Sequence, residues 1–199
     1  AAMFDFRVVD NVRPDVRTET LGEIQRELEA VYAQAKLASL PGYRRLVRWC
    51  SAPIISTTEA LSTTWRFMAE RNQLSQGILG IDIGGATTYA GAAHSSIYQW
   101  TTGAALGTSY GLDHLIDSSG LRDIARWLPL SMPVEELSNR LENARLRPLG
   151  IPATMEDMFL TQALARQAAL ITMRRMRRQH WHRLDIAPAK VVNTVGKYG

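Results

Sequence analysis

Gly80-Ile81-Asp82-Ile83-Gly84-Gly85-Ala86-Thr87-Thr88 reads as a branched, apolar strand that stops at a glycine pair and resumes as a second strand. Asp82 sets a carboxylate at the mouth of the first strand. Gly84 and Gly85 remove side chains, so backbone N–H groups can approach an anion, and Thr87 and Thr88 add hydroxyl donors. Together with Ala86 these residues form a candidate phosphate-binding turn. An acid at the Asp82 position can hold a magnesium ion through water, or orient the water that attacks a terminal phosphate. The stretch is neither the Gly-x-x-x-x-Gly-Lys-Ser/Thr loop nor the Gly-x-Gly-x-x-Gly fingerprint, and no helix follows it at once. The plain alternative is a hairpin whose Gly-Gly only makes a tight turn. The acid before the glycines and the Thr pair after them weigh toward phosphate.

Working outward, residues 78–83 read as a buried strand, and 87–93 and 96–101 as two more, which gives a β-meander. Upstream lie a short strand at Phe6 to Val9, a turn at Asp10 to Pro14 and an amphipathic helix over 21–40. Pro41-Gly42 stops that helix. A further helical stretch covers 43–50, and a helix capped by Thr57 or Thr58 runs through Leu61, Trp65, Met68 and Ala69. Residues 72–77 are a polar loop. Downstream, the pattern predicts helices over 112–116, 121–128 and 133–144, the last opened by Pro133 and capped by Ser131. A long helix begins near Thr154, where Thr-Met-Glu-Asp resembles a capping box, and continues to Gln179. A last strand is expected over Lys190 to Thr194.

The chain has 199 residues, 46% of them hydrophobic and 21% charged, which is the balance of a chain able to bury a core. Its +4 net charge is concentrated near the C-terminus and is a weak pointer to nucleic acid. Cys50 is the only cysteine, which excludes an intramolecular disulfide and a cysteine-based zinc site. The N-terminus lacks the features of a signal peptide and no run of apolar residues is long enough to span a bilayer, so a cytoplasmic location with no membrane partner is expected.

The segment Ile81 to Thr88 resembles the second phosphate loop of the fold shared by actin, sugar kinases and heat-shock chaperones. Its Gly-Gly-Ala-Thr-Thr form is most similar to the MutL family associated with glutamate mutase, which is unrelated to the mismatch-repair protein of that name. The order of Asn11-Val12-Arg13-Pro14, Pro53 to Ala60, the loop, and Ala163 to Arg178 extends the resemblance over most of the chain. It implies an α/β, ribonuclease H-like (actin-like ATPase) fold, with a mixed sheet and a β-hairpin phosphate loop flanked by helices, as part of a two-lobed ATPase. On that picture residues 1–76 are the helical end of the first lobe and 77–199 belong to the second, within a longer protein. ATP and Mg2+ are the implied cofactors. Asp82 is the implied catalytic and metal-linked carboxylate, and Gly84, Gly85, Ala86, Thr87 and Thr88 are the phosphate-binding residues. The implied role is an accessory or reactivating one toward a cobalamin-dependent mutase, with a homodimer compatible. The alternative is a degenerate, non-hydrolysing actin-like module acting through protein–protein interaction. Tyr89 stands where family members usually carry an acid, and neither a first phosphate loop nor a Gly-rich adenosine loop is found in the chain.

Other residues rank lower. Gly103, Gly107 and Gly111 read as turns ahead of a ligand approach. Arg174 to Arg183 reads as cations at a helix C-terminus ahead of a nucleic-acid contact, so no nucleic-acid partner is expected. His180 and His182 are spaced too closely to share a helix face as a metal pair. His94 and His114 read as structural, Cys50 as a buried thiol, and Trp65, Trp100 and Trp127 as core.

Overall fold

A computed structural model of the chain describes residues 6–15, 22–71, 77–94, 97–129 and 131–180. The chain divides into two compact units between Ile55 and Ser56. In the first, α1 (Gly22–Ala35) is followed by a 3-10 turn (Leu37–Ser39) and α2 (Tyr43–Trp49). Gly42 takes φ 83 just ahead of α2, the left-handed conformation that glycine adopts without penalty. Residues 6–9 are not a strand: no neighbouring strand pairs with them, and Arg7 instead donates to Glu27 (2.8 Å) and Gln34 (3.0 Å) on α1. The expected turn at Asp10 to Pro14 is present, with Asn11 Oδ1 accepting from Arg13 N–H. Cys50 is exposed rather than buried; it is the C-cap of α2.

The second unit opens with α3 (Thr57–Arg71), then β1 (Ile78–Ile83), β2 (Thr88–His94) and β3 (Ile97–Gly103). Ser56, not Thr57 or Thr58, caps α3, its hydroxyl accepting from Glu59 N–H at 3.1 Å. The strands form the expected meander, antiparallel in the order β1-β2-β3. A parallel strand, which a mixed sheet needs, is not among the described residues, and the strand expected over 190–194 lies outside them, as do Trp181, His182 and Arg183. β1 is less buried than its composition suggests. It is a sheet edge, and Leu79 and Ile81 remain 48% and 38% exposed.

Period-2 alternation gives the sheet two different faces. On one, Trp65 of α3 lies over Gly80 and Gly91, where any Cβ would meet its ring, and stacks on Tyr89 with centroids 5.7 Å apart. This contact packs α3 with the sheet within the second unit. Trp100, at the rim of the same cluster, is 37% exposed; it lies on an outer strand and is covered from one side only. On the other face, Met176 of α7 (Met155–His180) packs on Ala90 and Ala92, Thr101 donates to Gln179, and Arg175 donates to the Thr102 carbonyl.

The N-terminal half of α7 serves a second core. Leu160, Ala163, Leu164 and Ala168 pack with α4 (Leu112–Ser119), α5 (Leu121–Ala125) and α6 (Val134–Leu146) through Leu115, Ile124, Leu137 and Leu141. Trp127 joins this core, its indole N–H and Arg126 both donating to buried Gln167. Pro133 sits at the N-cap of α6 with no side-chain cap, so Ser131 does not fill that role. The capping box of α7 is formed as expected: Asp157 N–H donates to the Thr154 hydroxyl (3.1 Å) and Thr154 N–H to the Asp157 carboxylate (3.2 Å).

Two outcomes follow. Gly80→Ala should lower the free energy of unfolding in urea by about 1–3 kcal/mol through overpacking, and the loss should shrink in a Trp65→Leu background, since contacting sites couple. The hydrogen bond from the Thr154 side chain holds the Asp157 carboxyl below the usual carboxylate range, against some desolvation and with help from the Thr154 and Ala153 N–H groups and Arg140. Because the folded value lies below the unfolded one, this contribution is complete above the ordinary carboxylate range and is lost as pH falls through the folded value. The stability difference between wild type and Asp157→Asn, measured by urea titration at a series of pH values, should therefore be largest at neutral pH and close in acid.

Candidate functional site

The register of β1 with β2 ends at the pair Ile83 and Thr88, which leaves Gly84 to Thr87 as the connecting turn. Gly84 N–H closes it by donating to the Thr87 carbonyl at 2.9 Å. A second loop, between β3 and α4, is clasped against this turn. Thr108 N–H donates to the Gly84 carbonyl (3.1 Å), and both Ser109 and Gly111 N–H donate to the Gly85 carbonyl (2.9 and 3.0 Å). The Thr88 hydroxyl, fully buried, donates to the Leu106 carbonyl at 2.6 Å.

The clasp gives the turn a polarity. Its carbonyls at Gly84 and Gly85 are turned into the second loop, while the N–H groups of Gly85, Ala86 and Thr87 have no acceptor among the described residues. Successive unpaired N–H groups in a turn form an anion-binding concavity. Ala86 and Thr87 are exposed and Gly84 and Gly85 half-buried. Asp82 is half-buried one strand residue back from Ile83, and its carboxylate makes no hydrogen bond or ion pair among the described residues. The fold thus gathers Asp82, Gly84, Gly85, Ala86 and Thr87 about one turn. The Thr88 side chain lies on the opposite side, facing the α7 layer, and buttresses the turn instead of lining it.

Gly107 and Gly111 belong to this arrangement, although their sequence reading is simple punctuation. A Cβ on Gly107 would run into the Gly85 carbonyl and Ala86 N, and one on Gly111 into the Ala86 carbonyl. Both glycines permit backbone to meet backbone. Their signal in the sequence is their recurrence, with Gly103, at every fourth position, but nothing local names the partner.

Tyr89, at the position where the family resemblance implies an acid, is buried. It is stacked against Trp65, tilted against Trp100, and hydrogen-bonded through its hydroxyl to Tyr98 at 3.0 Å. Burial pushes the Tyr98 phenol up, partly offset by that bond and by Arg66. No group of three or more His, Cys, Asp or Glu side chains converges as a metal site among the described residues.

Behind the turn, Thr108 and Ser109 also line a cleft of about 490 Å³, with Arg140, Asn143 and Arg147 from the α6 end and Thr161 from α7. Its volume is within the range of small-molecule sites, about 300–1,000 Å³. Arg140 is tied to Glu136 (2.9 Å) and Asp157 (3.3 Å), whereas Arg147 has no ion pair among the described residues. The cleft escapes sequence reading because its lining comes from three separate segments.

A family model described as MutL protein matches residues 1–192 of the chain. No curated protein matches, and no solved structure matches. No helix among the described residues is long and apolar enough to cross a membrane.

Substituting Gly107→Ala should open the clasp, because the neighbours it meets are backbone and cannot rotate away. Amide hydrogen exchange at Thr108, Ser109 and Gly111 should accelerate well beyond exchange in β2; unchanged protection at those three amides would refute the assignment of the clasp.

Proposed function

Because the chain belongs to the MutL family, we propose that it serves as an actin-like, nucleotide-binding accessory to a cobalamin-dependent carbon-skeleton mutase, with Gly84 to Thr87 receiving the phosphates of ATP. The observation that carries this reading is the polarity of the turn: three consecutive N–H groups without acceptors among the described residues, those of Gly85 and Ala86 lying opposite carbonyls that the second loop occupies. Those amides and the Thr87 hydroxyl bind the phosphate oxygens, as backbone nests do. Asp82 holds the water shell of Mg2+, which supplies neutralising charge to the phosphates when bound. The cleft beside Thr108 and Ser109 offers room for the nucleoside, with the Arg147 guanidinium unengaged at its edge. Nucleotide state then biases the orientation of an adjoining lobe, which the mutase reads.

A second reading is favoured by one specific feature. Tyr89 is built into the Trp65 and Trp100 cluster, so the turn has one carboxylate where hydrolysis would draw on two. The protein in this reading binds nucleotide without turnover and acts through protein–protein interaction.

Titration calorimetry with Mg-ATP separates the cases. Asp82→Ala should weaken binding by about tenfold or more, the scale of one charged contact, and equal affinity in that variant would sink the assignment of the site. Phosphate release by the wild type at saturating ATP would select the hydrolytic reading; binding with no release selects the other.

A further inference from the structure

The first compact unit carries a surface unrelated to the turn. From Ala30 to Thr58 the chain has Lys36, Arg44, Arg45 and Arg48 and no acidic residue. Some surface arginines elsewhere are matched, Arg7 with Glu27, Arg126 with Asp123, and Arg145 with Asp113 and Glu142, whereas others, Arg147 among them, have no ion pair among the described residues. The three arginines of α2 have no ion pair among the described residues. All three side chains are exposed, as are Leu46, Val47 and Trp49, the last at 70%.

Helical spacing arranges these residues. Tyr43, Arg44, Val47 and Arg48 fall on one side of α2, since positions three and four apart are neighbours, and with Ala38 they line a groove of about 560 Å³. The groove is apolar along Ala38, Tyr43 and Val47 and has guanidiniums at Arg44 and Arg48. On the other side, the Arg45 guanidinium lies 4.9 Å from the centre of the Trp49 ring, a cation–π contact that orders both side chains before anything binds. Arginine, tryptophan and tyrosine are the residues that dominate protein interfaces, and unpaired guanidiniums beside an apolar groove are complementary to carboxylates flanking apolar side chains.

We propose that the α2 groove is a docking site for an acidic, amphipathic segment of a partner protein. Its apolar side chains enter between Tyr43 and Val47, and its carboxylates pair with Arg44 and Arg48. A nucleic acid fits less well. Its phosphates would have to lie against Ala38 and Val47, and one face of Trp49, the exposed ring available for base stacking, is covered by Arg45. The site stands on its own geometry and does not depend on nucleotide binding.

The test uses the full chain and three fluorescent probes: a helical peptide with Leu at every third or fourth position and Glu beside each, the same peptide with every Glu changed to Lys, and oligothymidylate. The acidic peptide should bind by fluorescence anisotropy, and the Arg44→Glu/Arg48→Glu variant should bind it about tenfold or more weakly. The lysine peptide should show the reverse preference, binding the variant and not the wild type. Val47→Ser should weaken the acidic peptide without altering the circular dichroism of the chain. Equal binding of the acidic peptide by wild type and the double variant, or no binding by either, would overturn the proposal. Tighter binding of oligothymidylate, abolished in the same variant, would reassign the surface to nucleic acid.

Discussion

The Gly85 carbonyl accepts from two amides, those of Ser109 and Gly111, and the candidate site depends on that pair of hydrogen bonds. It fixes the turn between β1 and β2 onto the loop that leads from β3 into α4. It can form only where Gly107 and Gly111 leave room for backbone to approach backbone. With the Gly84 and Gly85 carbonyls so engaged, the opposite edges of those peptide planes, the N–H groups of Gly85 and Ala86, are left to face outward. The buried bond from Thr88 to the Leu106 carbonyl adds a second tie between the same two loops. Leaving a buried acceptor of this kind unpaired costs about 1–3 kcal/mol.

The surroundings of this clasp are asymmetric. On one face of the sheet, glycines at 80 and 91 admit the Trp65 ring, and Tyr89, Tyr98 and Trp100 extend the contact into an aromatic cluster. On the other, small residues Ala90 and Ala92 let Met176 come close. The long helix α7 then continues from the sheet to the helical core formed with α4, α5 and α6. One rigid element therefore spans both the sheet that carries the turn and the helices that line the cleft behind it. The Thr154–Asp157 capping box fixes the end of α7 nearest that cleft.

Family membership and the polarity of the turn bear on function in different ways. Membership supports a role beside a mutase; the free amides support an anion at Gly84 to Thr87. Tyr89 is packed between Trp65 and Trp100 and serves the aromatic cluster of the sheet. The arginine-lined groove on α2 concerns a separate unit of the chain and a different class of ligand, one recognised by charge and apolar burial together.

The meander, the position of the turn, the α7 capping box and most helix limits are legible in the residues alone, because these follow from local periodicity and turn chemistry read over a few neighbouring residues. The same reading places Asp82 and the glycine pair at the turn. Which side each residue serves is set by long-range packing. Thr87 and Thr88 are adjacent and chemically alike, yet strand alternation leaves one hydroxyl exposed and buries the other under Leu106. Gly107 and Gly111 look like turn residues until the chain folds back and brings the Gly85 carbonyl against them. The apolar run of β1 suggested burial, but its depth was set by its place at the sheet edge. Such outcomes depend on which distant segments pack together, and that information is shared across the chain and not carried by any one stretch of it.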